Sequence, residues 1–159
     1  MIDGWLDALL VAAVLGCALV SGIFFAFSTF IMRALARVAP EGGIAAMQAI
    51  NVTVINAWFL AAFFGTALLS AGLAGWTLLG GGGADADTVT AGAVLYLFGC
   101  IGVTVAFNVP LNNALARARA DTVDGAALWQ RYLAVWTAWN HVRTAASLLA
   151  ALTFALALR

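Results

Sequence analysis

Between Trp136 and Arg143 the chain places two indoles (Trp136, Trp139), an amide (Asn140), its only histidine (His141) and a guanidinium (Arg143). Each of these types can do chemistry. Histidine is the side chain that titrates nearest neutral pH and can move a proton. Amide and guanidinium N–H groups can hold a developing negative charge, and indole faces stack on flat rings. The stretch heads an apolar run, where polar side chains are expensive, so their retention marks a candidate functional site.

Polar residues elsewhere fall at the same depth. Ser28 and Thr29 end the first apolar segment, Gln48, Asn51, Thr53 and Asn56 begin the second, and Thr104, Asn108, Asn112 and Asn113 end the third. With Tyr132, Trp136 and Asn140 on the fourth, all four segments bring hydrogen-bonding groups to one level.

Rotation about each helix, at about 100° per residue, groups them further. Trp129, Tyr132, Trp136, Trp139, Asn140, Arg143 and Ser147 share one stripe; Thr104, Asn108 and Asn112 share another; Ser21, Phe24, Phe25, Ser28 and Met32 share a third. These faces are expected to line a common cavity. His141 lies about 100° from Asn140 and about 160° from Arg143, off the main stripe. Pro110, between Asn108 and Asn112, frees a carbonyl near Ala106 and bends the cavity wall. The plainer roles are asparagines that cross-link helices, tryptophans that anchor at the interface and an arginine that snorkels to headgroups.

The elements that must position these groups follow from composition. The 159 residues are 65% hydrophobic and 9% charged, with a mean hydropathy of +1.04. That is the profile of an all-α integral membrane protein with a single domain over residues 1–159. Four segments reach the roughly 20 residues a crossing needs, at about residues 5–32, 56–79, 89–109 and 138–158. An antiparallel four-helix bundle is expected. Helix-compatible patterns continue past the bilayer in three helices and predict a cytoplasmic-side collar, with the second running unbroken from Ile44 through Asn51 and Trp58.

All seven basic residues are arginines and balance seven acids, which leaves no basic surface for nucleic acid. Arg33, Arg37, Arg117, Arg119, Arg131 and Arg143 flank the first and third connections, whereas the second carries Asp85 and Asp87 with no basic residue. By the positive-inside rule those two connections are cytoplasmic and both termini lie outside an inner (plasma) membrane. Small-residue ridges at Ala18, Gly22 and Ala26 and at Ala57, Ala61 and Gly65 are expected to pack helices together or to serve a homo-oligomer. Cys17 and Cys100 lie far apart in apolar runs and read as small buried hydrophobes.

Three segments carry a family likeness: Gly22-Ile23-Phe24-Phe25-Ala26-Phe27-Ser28, Asn108-Val109-Pro110-Leu111-Asn112-Asn113, and Trp136 with Trp139-Asn140-His141-Val142-Arg143-Thr144. Together they resemble the small four-helix membrane proteins of the anthrone oxygenase family, over roughly residues 8–155. The resemblance implies a monooxygenase that oxidises an anthrone-like ring compound with dioxygen and without metal, haem or flavin. In that setting His141 is the candidate base, Arg143 and Asn140 hold the oxyanion with Asn108 and Asn112, and Trp136 and Trp139 stack on the rings. Asn51, Asn56, Ser28, Phe25 and Tyr132 complete the expected substrate-binding set.

Other readings stay open on the residues. The same pocket could bind a quinone, a membrane lipid or another hydrophobic ring molecule without turnover, or the chain could be a structural membrane subunit. A haem or metal site is not expected, since one histidine and two distant cysteines make a poor ligand set.

Overall fold

Helices account for every regular element in the computed structural model, which describes residues 4–158; among these residues no strand occurs. Five helices follow one another. They are α1 (Gly4–Leu35), α2 (Pro40–Thr53), α3 (Ala57–Leu78), α4 (Gly83–Arg117, entered through a short 3-10 turn) and α5 (Val123–Leu156). Helices α1, α3 and α4 are long and apolar enough to cross a membrane. Helix α5 does not meet the same measure, because Asn140, His141 and Arg143 dilute its apolar run. Its polarity is turned inward, however: Asn140, Arg143 and Ser147 are buried while Leu148, Leu149 and Leu152 are exposed.

Helix α1 packs against α3 and α5, and α4 packs against the same two partners. Apolar side chains fill the space between them, including Leu10, Val20, Phe63, Leu73, Tyr96 and Phe154. Large apolar side chains also face outward, among them Leu15, Leu19, Leu68, Phe98 and Val105. Such an exterior suits hydrocarbon as solvent, where every backbone polar group must be satisfied within the helices.

Several boundaries have local causes. Pro40 occupies the first turn of α2, where its missing N–H costs nothing. Thr122 starts α5 by accepting from the Gly125 amide at 3.0 Å. The turn between α3 and α4 needs backbone that L residues rarely adopt, which Gly80 and Gly82 supply at φ 92° and 90°.

The continuous second helix expected from sequence is broken. The chain leaves α2 at Val54 and re-enters helix at Ala57, with Asn56 as the N-cap whose Oδ1 accepts from the Phe59 amide at 3.1 Å. Asn prefers this position because its side chain competes with the helical backbone. As a result α2 packs against the C-terminal ends of α1 and α4 and the N-terminal part of α5, where Ile44 and Met47 meet Met32, Leu115, Trp129 and Tyr132. Gln48 ties α2 to α4 by donating to the terminal carbonyls of Leu115 and Ala118 at 2.8 and 3.2 Å.

The expected small-residue ridges turn out to face away from the packed helices. A Cβ at Gly22 or Gly65 would meet nothing within 4 Å, and Ala18, Ala57 and Ala61 are exposed. Close approach occurs instead at Gly16 against Thr66, Gly99 against Ala146 and Gly92 against Phe154. Four-residue spacing identifies a ridge but leaves its rotational phase undetermined, and the phase is set by the larger side chains Leu10, Val20 and Phe24.

Candidate functional site

Near the middle of α5, above the apolar core, Arg143 is 4% exposed. Its NH2 donates to Asn140 Oδ1 at 2.7 Å, its NH1 donates to Thr104 Oγ1 at 3.2 Å, and its Nε has no partner. The guanidinium carbon stands 4.1 Å from the Phe24 ring centre and 5.1 Å from that of Trp136. Among the described residues the one ion pair is Arg119–Asp121 on the surface, so Arg143 is held by neutral groups and aromatic faces, with no carboxylate beside it.

Asn140 orients that arginine and is itself fully engaged. Its Nδ2 donates to the Phe24 carbonyl at 2.7 Å and to Ser28 Oγ at 2.8 Å. Ser28 and Thr144 hydroxyls pair at 3.1 Å, and Thr144 donates to the Asn140 carbonyl at 2.9 Å. This network clamps α1 to α5 at the depth of the arginine.

Local widening of two helices brings the partners into place. Residues Phe27–Ile31 of α1 and the stretches Leu95–Gly102 and Thr104–Asn108 of α4 are π-helical. Such insertions leave backbone carbonyls less well bonded, and nearby hydroxyls fill the gap: Thr29 donates to Phe25 O and Thr104 to Cys100 O, each at 2.7 Å. The last π stretch runs directly into Pro110, which sits in the first turn of the following α-helical segment. Asn108 at its end is fully buried and donates from Nδ2 to the Trp136 carbonyl at 3.2 Å.

One turn further along, Asn112 Oδ1 accepts from both the Tyr132 hydroxyl at 2.7 Å and Trp136 Nε1 at 2.8 Å. Trp129, Tyr132 and Trp136 form a stacked column, with successive ring centres 5.7 and 5.6 Å apart. Trp136 at the top of the column faces a cavity of about 180 Å³.

Aromatic walls from Phe24, Phe27, Phe59, Phe63 and Trp136 surround that cavity, and its polar lining is Asn51, Thr104, Asn112 and Arg143. Asn51, Ile55, Val109 and Asn112 also line an adjoining open groove between α2 and α4. The cavity therefore has a mouth where it meets this groove, between α2 and α4, and Arg143 and Thr104 line it away from the groove.

A sequence model of the family described as anthrone oxygenase matches residues 54–153. The chain belongs to the anthrone oxygenase family. No curated protein and no solved structure matches it. The family match spans α3, α4 and most of α5, and so includes Asn108, Asn112, Trp136, Asn140 and Arg143. Phe24, Ser28 and Asn51 lie outside the matched range and join the site through folding.

Not every residue expected from sequence reaches the cavity of this family member. Arg143, Asn112, Asn51 and Trp136 line it, with Asn140, Ser28, Tyr132 and Asn108 behind them. His141 is exposed on the far side of α5. Phe25 is 57% exposed and gives its place to Phe24, its neighbour about 100° round the helix. Asn56 is an exposed cap. Trp139 turns outward and stacks on Phe107 with ring centres 3.7 Å apart, in contact with a helix face and not with the cavity.

Phe27, Phe59, Phe63 and Thr104 join the lining as residues that the sequence reading did not assign to substrate. Thr104 was visible on the Asn108 face. The three phenylalanines stand in apolar runs among similar residues and carry no distinguishing signal.

Proposed function

We propose that the four long helices form an antiparallel membrane bundle, with α2 in a cytoplasmic-side collar and both termini outside. Its cavity takes a flat apolar ring compound bearing an ionisable oxygen, and the protein acts as a cofactor-independent oxygenase on an anthrone-like substrate. The observation that carries this reading is the buried Arg143, aimed into an aromatic-walled cavity without a carboxylate to neutralise it. A fixed positive charge of this kind favours a ligand oxygen that becomes negative.

An anthrone carries a methylene between two aromatic rings and para to a carbonyl. Loss of one methylene proton gives a delocalised anion whose negative charge rests largely on the carbonyl oxygen, where Arg143 would hold it. The anion then supplies two electrons to dioxygen as a carbon–oxygen bond forms, and protonation gives a hydroperoxide. Loss of the remaining methylene proton with cleavage of the O–O bond leaves a second carbonyl and releases water. One CH2 and one O2 thus become one C=O and one H2O, with no further reductant.

His141 has no place in this scheme, since it faces away from the cavity. Stabilising the anion lowers the acidity barrier directly, and the proton can leave to water at the open mouth between α2 and α4. Phe24, Phe27 and Trp136 shelter the ring face.

The test is quinone formation by purified protein given an anthrone under air, with oxygen uptake followed in parallel. Acceleration over the spontaneous reaction, one O2 consumed per quinone, and loss of acceleration in Arg143→Met are expected. Ring binding without acceleration would overturn the oxygenase reading for that substrate and leave a carrier in its place.

A further inference from the structure

We propose that Asn51 and Asn112 form a second hydrogen-bonding subsite at the cavity mouth, so that the site fits a flat ring compound with oxygen acceptors at both ends. The proposal rests on the reading that the cavity binds a ring ligand, and it specifies the polarity pattern of that ligand.

Two observations converge at the mouth. Both acceptor positions of Asn112 Oδ1 are occupied, by Tyr132 and Trp136, which fixes the amide and leaves its Nδ2 as the group it can offer. Asn51 Nδ2 is buried without a close hydrogen bond; the Tyr132 hydroxyl, whose own proton goes to Asn112, can accept only one of its two N–H groups, which leaves the other for a ligand. A buried amide donor left unmade is costly, so one standing in a cavity wall marks the place of a missing acceptor.

The far end offers donors too, from the unpartnered Nε of Arg143 and its neighbouring N–H groups. Between the two ends the lining is aromatic and aliphatic, and no carboxylate lines the cavity. The lining therefore matches acceptor, flat apolar body, acceptor. Arg143 suits the oxygen that bears charge, whereas the neutral amides at the mouth suit a carbonyl or peroxide oxygen.

Three probes separate the ends: anthraquinone with oxygen at both, anthrone with oxygen at one, and anthracene with none. Their affinities would be measured under anaerobic conditions by tryptophan quenching on the full-length protein in nanodiscs. Asn51→Leu should weaken anthraquinone roughly tenfold while changing anthrone less than about twofold. Asn51→Ala, which removes the amide without adding a charge, should give the same selective loss and serves if the leucine variant does not fold. Equal weakening of both oxygenated probes, or no weakening, would overturn the subsite. Failure of all three probes to bind the unsubstituted protein would overturn the ring-binding reading itself and is distinguishable from either result.

Discussion

Arg143 and Asn140 sit one turn apart on α5, joined by a 2.7 Å hydrogen bond in which the guanidinium donates to Oδ1. Asn140 spends its Nδ2 on α1, at Phe24 O and Ser28 Oγ, so the arginine is held against a second helix through a neutral relay. A carboxylate in place of that amide would cancel the charge in the pair. The amide positions the guanidinium and leaves its charge available to the cavity.

Replacing Arg143 should therefore separate stability from function. An unpaired buried charge is a burden on folding, and an apolar group of similar length relieves it. Arg143→Met is expected to melt at an unchanged or higher temperature in detergent while ring-ligand affinity or turnover falls at least tenfold. A large drop in melting temperature would show instead that the guanidinium is chiefly a structural tie.

Adding a counter-ion should silence the site without removing the arginine. Thr104 accepts from Arg143 at 3.2 Å, so Thr104→Asp places a carboxylate against the guanidinium. Binding of an anionic ring ligand should fall more than about tenfold, in line with pairing energies of buried charges. Thr104→Val, which removes only the hydroxyl, should cost less than about fivefold; affinity measurements on the two variants give the comparison.

Asn140→Leu removes three side-chain hydrogen bonds at once and leaves the Phe24 carbonyl and the Arg143 NH2 without their partner. About 1–3 kcal/mol of stability should be lost for each buried group left unsatisfied. Denaturant or thermal unfolding should show it as markedly less stable than Asn56→Ala, where loss of an exposed cap costs about 1 kcal/mol.

His141→Ala, by contrast, should leave ligand affinity and turnover within about twofold, because the imidazole lies on the exposed side of α5. A loss of a hundredfold in steady-state rate would return the histidine to the mechanism.

Glycine substitutions should report which ridge packs. A Cβ at Gly99 would stand 2.5 Å from Ala146 Cβ, which cannot move without shifting α5, so Gly99→Ala should destabilise by about 1–3 kcal/mol. Gly22→Ala meets open space and should be neutral or mildly stabilising through helix propensity. Melting temperatures of the pair, measured in one detergent, decide it.

The class of the protein and the neighbourhood of the site are legible in the amino-acid chain alone. Its 65% hydrophobic composition, gathered in four long apolar runs, points to helices that satisfy their own backbone. The fixed angle per residue put Trp129, Tyr132, Trp136, Asn140 and Arg143 on one face of α5, and all five are buried there. The same angle set His141 apart from them. Local chemistry of this kind is legible because a helix repeats it along a single chain.

How the faces meet depends on packing between helices. Phe24 in place of Phe25, Gly16 and Gly99 in place of the Gly22 and Gly65 ridges, and Asn56 as a cap in place of a cavity wall all depend on helix phase. That phase is shifted by the π-helical insertions and by the break at Val54–Asn56, neither of which the hydrophobic pattern records. The unpaired state of Arg143 is likewise a property of the assembled helices. An arginine in an apolar run carries its charge in the sequence, but only the packing of α1, α4 and α5 around it shows that hydroxyls, an amide and aromatic rings surround it, with no carboxylate to cancel it.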